Sequence, residues 1–347
     1  MKALVYTGSK SLEYRDMPDP EPRAGEELLR VETVGICGSD MHAYLGHDER
    51  RPAPLILGHE AAGVITGGPR DGMRVTVNPL VTCGICAACK AGADNLCATR
   101  QIISMPPREG AFAEWVAMPP GNLVPVPGDV SLEKAALAEP IACGWHGVRL
   151  GKMALGVADK GLTALVIGGG AIGLGAALSL KAQGVSDVTM LEANPDRRAF
   201  LEQRCSQHVM GSDGLHISDM FDMVVDGVGF AGTRAIASAH ARPGGVIVHI
   251  GLGEATDGLD IRRMTLQEIT FIGTYTYTAE DFRQTAQAIF DGRLGALDWT
   301  ETRPLAEGGQ AFEDIRLGRP LAPKTILIPA HEGAQDGAGS QSKPELT

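Results

Sequence analysis

Four cysteines crowd one short stretch of the chain: Cys83, Cys86, Cys89 and Cys97, spaced C-x2-C-x2-C-x7-C. That spacing brings four thiolates to a common centre, as a closed tetrahedral zinc site requires. The residues between them, Gly84, Ala87, Ala88, Gly92 and Ala93, are small enough for tight turns around a metal. Disulfides are one alternative. The opening MKALVYTG has no basic segment followed by an apolar run, so a reducing cytosol is expected instead of secretion. An iron–sulfur cluster is the other alternative, but no proline follows the last cysteine and the spacing is not a ferredoxin one. The expectation is a structural zinc in a lobe over 80–100. Few folds carry such a lobe, and it directs attention to a second metal.

Composition narrows the class. At 347 residues, with 44% hydrophobic and 21% charged, the chain reads as an ordinary globular protein of two domains or one large one. No apolar run approaches a membrane span, so no membrane partner is expected. A net charge of −11 without a basic cluster argues against nucleic acid. Three further cysteines, Cys37, Cys143 and Cys205, stand outside the quartet and fit a cytoplasmic location.

The pattern changes along the chain. Residues 1 to about 125 read as short strands between Gly/Pro turns, as in KALVYTG, ELLRVETVG and RVTVNP, which implies a barrel or sandwich. After residue 145, apolar strands such as TALVIGGG and FDMVVDGVG alternate with helical stretches, which implies a parallel, doubly wound sheet. The late strand KTILIP is expected to rejoin the first unit, since one strand alone cannot bury its faces. The expected division is 1–145 plus 293–330 around 146–292, with a disordered polar tail at 331–347. Between Cys205 and Phe221 one strand–helix unit looks abbreviated.

Gly168-Gly169-Gly170-Ala171-Ile172-Gly173 satisfies G-x-G-x-x-G. It ends an apolar strand and opens an apolar helix, the context that distinguishes a dinucleotide turn from chance glycines. Helix N–H groups there face a pyrophosphate. Glu192 ends the next strand, nineteen residues past Gly173, where a carboxylate bonds both ribose hydroxyls and repels a 2′-phosphate. NAD is therefore favoured over NADP, although Arg197 and Arg198 lie close enough to complicate the choice.

A second donor set is scattered. Cys37 sits in GICGSDMH, His59 and Glu60 in LILGHEAAG, and Glu139 in LAEPIACGWHG. All three residue types bind zinc, and a catalytic zinc keeps an open position beside three protein ligands. A lone Cys or His is more often a packed residue than a ligand. Together, and beside the quartet and the glycine turn, the set becomes specific.

GICGSDMH, GHEAAG, the Cys83–Cys97 quartet, EGAFAEW, AEPIACGWH and the GGGAIG turn resemble the zinc-dependent medium-chain dehydrogenases, nearest the sorbitol, L-idonate and galactitol-phosphate dehydrogenase branch. The resemblance runs from residue 1 to about 329. It implies a GroES-like β-barrel catalytic domain flanking a Rossmann domain, with two zinc ions per chain and NAD. It further implies oxidation of a secondary alcohol of a polyol or sugar acid by a homodimer or homotetramer. Cys37 and His59 match catalytic zinc ligands, Glu60 an adjacent acid able to bind directly, and Glu139 a fourth ligand bound directly or through water. Ser39 matches the hydroxyl that takes the substrate proton, and His42 a later station of that relay. Thr276 and Tyr277 stand where the branch has an Arg-Tyr pair contacting substrate hydroxyls.

Overall fold

The strand Glu27–Gly35 organises the first half of the molecule. Its burial alternates until the last three residues, which are all covered, so one face enters the core and its end is enclosed. In the computed structural model, which describes residues 1–156 and 161–331, this strand pairs antiparallel with Glu60–Thr66, Trp115–Met118 and Lys324–Ile328. The late strand thus does return to the first sheet, bringing Thr300–Pro304 with it as a parallel neighbour. A three-stranded sheet of Ser11–Asp16, Lys2–Gly8 and Leu55–Ile56 stands beside this seven-stranded one. Leu4, Leu29, Val31, Phe112 and Phe312 fill the core of this half.

Register decides where the site forms. Gly35 faces Glu60 across one ladder and Ile326 across another. The chain then continues through Ile36, whose N–H donates to Thr325 O, into Cys37. Three strands far apart in sequence therefore deliver Cys37, His59–Glu60 and Lys324 to one point.

The second half is a six-stranded parallel sheet in the spatial order His208–Met210, Asp187–Leu191, Thr163–Ile167, Phe221–Asp226, Ala241–His249, Thr270–Gly273. The strand order reverses between Thr163–Ile167 and Phe221–Asp226, the crevice where doubly wound sheets bind ligands. The abbreviated unit is visible: a three-residue strand and one turn of 3-10 helix, Ser212–Gly214, stand where a crossover helix would run. The long helix Ala138–Leu155 crosses position 145 without a break and packs on the helices Ala171–Ala182 and Ala279–Phe290. Glu139, in its first turn, consequently sits where the two halves meet. Of the expected tail, only His331 is described; its ring bonds Val31 O at 2.9 Å, and the rest lies outside the described residues.

Candidate active site

The donor atoms of Cys37, His59 and Glu60 lie within 4.8 Å of one another, with His59 and Glu60 buried and Cys37 partly open. Each is held in place by its surroundings. Cys37 precedes the short helix Gly38–Tyr44, and its N–H donates to Asp40 Oδ2 at 3.0 Å. Asp40 Oδ1 stands 3.3 Å from His59 Nδ1, with Ser104 Oγ also 3.3 Å from that nitrogen. The other ring nitrogen, Nε2, is left on the side of Ser39 Oγ, 3.5 Å away. A carboxylate behind an imidazole fixes the ring and raises its donor strength, the usual support of a metal-binding histidine. Burial alone pushes His59 down, but Asp40 and Cys37 outweigh it and hold the imidazole well above its ordinary range. The carboxyl of Asp40 stays below its usual range despite burial, because His59 and Arg51 face it.

Glu60 carries one satisfied oxygen and one orphan. Lys324 Nζ donates to Oε1 at 2.6 Å and to Ile36 O at 2.8 Å. Oε2 is buried without a partner and lies in the space a Gly35 Cβ would fill. An unpartnered buried carboxylate oxygen is costly unless something else binds it. A thiolate, an imidazole and a free carboxylate oxygen together form a donor set that fits zinc.

Glu139 stands outside that group of three. It is buried, and its Oε1 accepts a 2.6 Å hydrogen bond from the Tyr277 hydroxyl. Burial raises its carboxyl to about 7, with His59 opposing and Glu60 adding to the rise, so all three groups share one electrostatic environment. Tyr277 is itself buried and committed to Glu139. It lines up a glutamate where the sequence pointed to a substrate contact. Ser39 is partly open beside His59, and His42 is exposed on the same helix. Arg108 is buried in an ion pair with Glu26.

The four-cysteine lobe also fits a metal. Its sulfurs are free thiols within 4.8 Å of one another, with Cys83–Cys89, Cys86–Cys89 and Cys83–Cys97 at 3.5–3.9 Å. The edge of a tetrahedron with Zn–S bonds of about 2.3 Å is close to 3.8 Å, whereas a disulfide needs about 2 Å. Hydrogen bonds from the Ile85 and Cys86 backbone lower the Cys83 thiol to about 6, and desolvation raises Cys89 to about 12. Backbone hydrogen bonds thus favour the charged form at Cys83, and Cys97 is lowered in the same way.

The glycine turn faces the same cleft. Gly168 has φ 100, and a Cβ on Gly173 would collide with Gly168 O, so neither position tolerates a side chain. A Cβ on Gly170 would meet nothing within 4 Å, leaving its backbone open to a ligand. Glu192 Oε2 accepts from Gly169 N at 2.8 Å and Oε1 from Asn194 N at 2.7 Å, which fixes the carboxylate at the strand end. Arg197 donates to Pro320 O across the cleft, and Arg198 to the carbonyls of Glu192 and Ala193; neither is a free surface cation. A cleft of about 260 Å³ is lined by Cys37, Glu60 and Lys324 on one wall and Gly170, Ala171, Ile172 and Arg197 on the other. Metal donors and dinucleotide turn share one cavity.

Residues 23–128 match the alcohol dehydrogenase GroES-like domain family, and residues 171–291 the zinc-binding dehydrogenase family. The chain is 30% identical over 345 residues to L-galactonate-5-dehydrogenase of Escherichia coli (strain K12), covering 94% of this chain and 99% of that one. It is 31% identical to sorbitol dehydrogenase of Bacillus subtilis (strain 168), over 80% and 82% of the two chains. A zinc-binding dehydrogenase of Sinorhizobium meliloti 1021, crystallised with NADP, matches with a TM-score of 0.83 at 25% identity, over 94% of this chain and 99% of that one.

Proposed function

From the premise that this chain belongs to the zinc-dependent medium-chain polyol dehydrogenases, enzymes that use a nicotinamide dinucleotide, we propose that it oxidises a secondary hydroxyl of a polyol or sugar acid to the ketone, with NAD as acceptor. One observation carries the reading: the Cys37, His59 and Glu60 donors converge, and Cys37 and Glu60 line a cleft whose other wall is the glycine turn. In this reading each chain would hold two zinc ions, one at the lobe and one at Cys37, His59 and Glu60, with Glu139 reaching the second directly or through water. Zinc at that centre supplies Lewis acidity that lowers the pKa of the substrate hydroxyl.

The remaining work falls to the chain. Asp40 orients His59, and Lys324 fixes one oxygen of Glu60 so that the other faces the centre. Ser39, partly open beside His59, accepts the hydroxyl proton, and exposed His42 passes it to solvent. The open backbone at Gly170 and the start of the Ala171–Ala182 helix take the pyrophosphate. Glu192, preset by Gly169 N and Asn194 N, takes the adenosine ribose hydroxyls and disfavours a 2′-phosphate. The two units, 1–145 with 293–330 and 146–292, act as catalytic and cofactor domains. The strand Thr270–Gly273 ends its sheet with an open edge, suited to pairing in a homodimer or homotetramer. A cytoplasmic location completes the reading.

A simple secondary alcohol is the second reading, favoured by Thr276 standing where the polyol branch has arginine. Following NADH formation over a panel of polyols, aldonates and simple secondary alcohols, repeated with NADP, separates the two. Activity confined to simple alcohols would overturn the substrate class.

A further inference from the structure

The four-cysteine lobe does not stand apart from the chemistry. Asn95, 3% exposed at its base, donates from Nδ2 to Tyr275 O at 2.8 Å. Its neighbour Asp94 places both carboxylate oxygens 3.2 Å from Ala279 N. Arg100, also of the lobe, lays its guanidinium 4.7 Å over the Tyr275 ring. The lobe therefore grips residues 275 and 279 and brackets the three between them.

Those three are under constraint. Thr276 has φ 46, an unusual backbone for a β-branched residue, and its hydroxyl is buried without a partner. Such a conformation persists only where the surroundings over-determine it, and it concentrates at functional sites. Its consequence is the direction of the next side chain: Tyr277 points inward and donates to Glu139 at 2.6 Å. On the far side Thr278 Oγ1 donates to Asp281 Oδ2 at 2.7 Å, which closes the bracket.

We propose that the lobe positions Glu139 at the metal centre through the Tyr275–Tyr277 segment, with Asn95 and Tyr277 as positioning residues. The inference rests on the reading of Cys37, His59 and Glu60 as a metal centre with Glu139 beside it. It assigns the lobe a second role besides holding its own fold: keeping a glutamate oriented on the far side of a domain boundary. Groups that orient metal-site residues from behind typically change metal affinity or activity by about 10- to 100-fold when removed.

The test uses the zinc-loaded enzyme and three variants: Asn95→Ala, Tyr277→Phe, and Leu96→Ser, a lobe position that is 58% exposed and serves as control. Zinc release into a chromogenic chelator is followed alongside total zinc per chain, Tm, kcat, and KM for NAD. Asn95→Ala and Tyr277→Phe are each expected to lose the catalytic zinc about tenfold faster and to lower kcat by a similar factor. KM for NAD and the lobe zinc should stay at wild-type values, as should every property of Leu96→Ser. Combining the two changes should add little to Tyr277→Phe alone, because both act along one path. If Asn95→Ala retains zinc like the wild type while Tyr277→Phe does not, the coupling is overturned and the metal centre stands. If Tyr277→Phe is also unaffected, the placement of Glu139 at the centre falls with it.

Discussion

Lys324 Nζ lies 2.6 Å from Glu60 Oε1, with the two side chains 3% and 1% exposed. The pair joins residues 264 positions apart and closes the back of the metal centre. Burial pulls Lys324 down, but Glu60 and Cys37 hold it above its ordinary value, so the cation persists. It compensates one carboxylate in a site that also gathers Cys37 and Glu139.

Removing one member of a buried pair leaves the other charge uncompensated, at a cost of about 3–5 kcal/mol. Lys324→Met should destabilise the metal-free protein by about that much in urea unfolding. Adding Glu60→Gln to it should restore a large part. Equal stability of Lys324→Met and wild type would show that the pair contributes nothing.

Asp40 reaches the centre through His59 and through the amides of Cys37 and Gly58. Asp40→Asn keeps the shape and loses the charge. Catalytic zinc affinity, measured by chelator competition, should fall about 10- to 100-fold. Unchanged affinity would place Asp40 as a helix cap alone.

Glu192 accepts from two backbone amides, which fix its carboxylate at the strand end where the proposed function has it take the ribose. Hydrogen bonds to a charged group contribute about 1.5–3 kcal/mol, or roughly 10- to 100-fold. Glu192→Ala should therefore shift the ratio of kcat/KM for NAD over NADP by at least about tenfold toward NADP. A ratio that does not move would put the cofactor discrimination elsewhere, with Arg197 next to be tested.

Asp281 links the helix Ala279–Phe290 to the helix carrying Glu139. It accepts from His146 Nδ1 at 2.7 Å, from Arg149 at 2.6 and 2.9 Å, and from Thr278. Burial raises its carboxyl, but Arg149, His146 and Thr278 outweigh that and hold it well below the usual carboxylate range. A depressed folded pKa contributes stability that is present above the unfolded value, about 3.9, and is lost as pH falls further. Unfolding free energy of the wild type should therefore decline below about pH 4 more steeply than that of Asp281→Asn. The variant should be less stable at neutral pH by about 2–3 kcal/mol. Parallel acid limbs would contradict the assignment.

The sequence made legible what rests on local spacing. The cysteine quartet, the glycine turn and Glu192 each declare themselves within a few residues, and the structure assembles each of them. Cys37, His59 and Glu60 are readable only as a set, beside the quartet and the glycine turn. Lys324 was not, since nothing in KTILIP marks its lysine as facing a glutamate 264 positions earlier. Asp40 sat inside the quoted GICGSDMH, where its place in a helical first turn gave no sign of the imidazole beyond it. Tyr277 is hard to read for a related reason: it follows Thr276, whose φ is 46, and its phenol donates to Glu139, a contact 138 positions away that no local pattern announces. Arg197 and Arg198 pattern as a solvated helix face, yet both are committed to backbone carbonyls.

The most direct test of the account is zinc content measured together with NADH formation in wild type and Cys37→Ala. The wild type is expected to hold two zinc ions per chain. The variant is expected to hold one zinc and to show no measurable turnover, with NAD binding and Tm near wild-type values. A variant that keeps both ions, or that still turns over substrate, would contradict a catalytic metal centre at Cys37, His59 and Glu60.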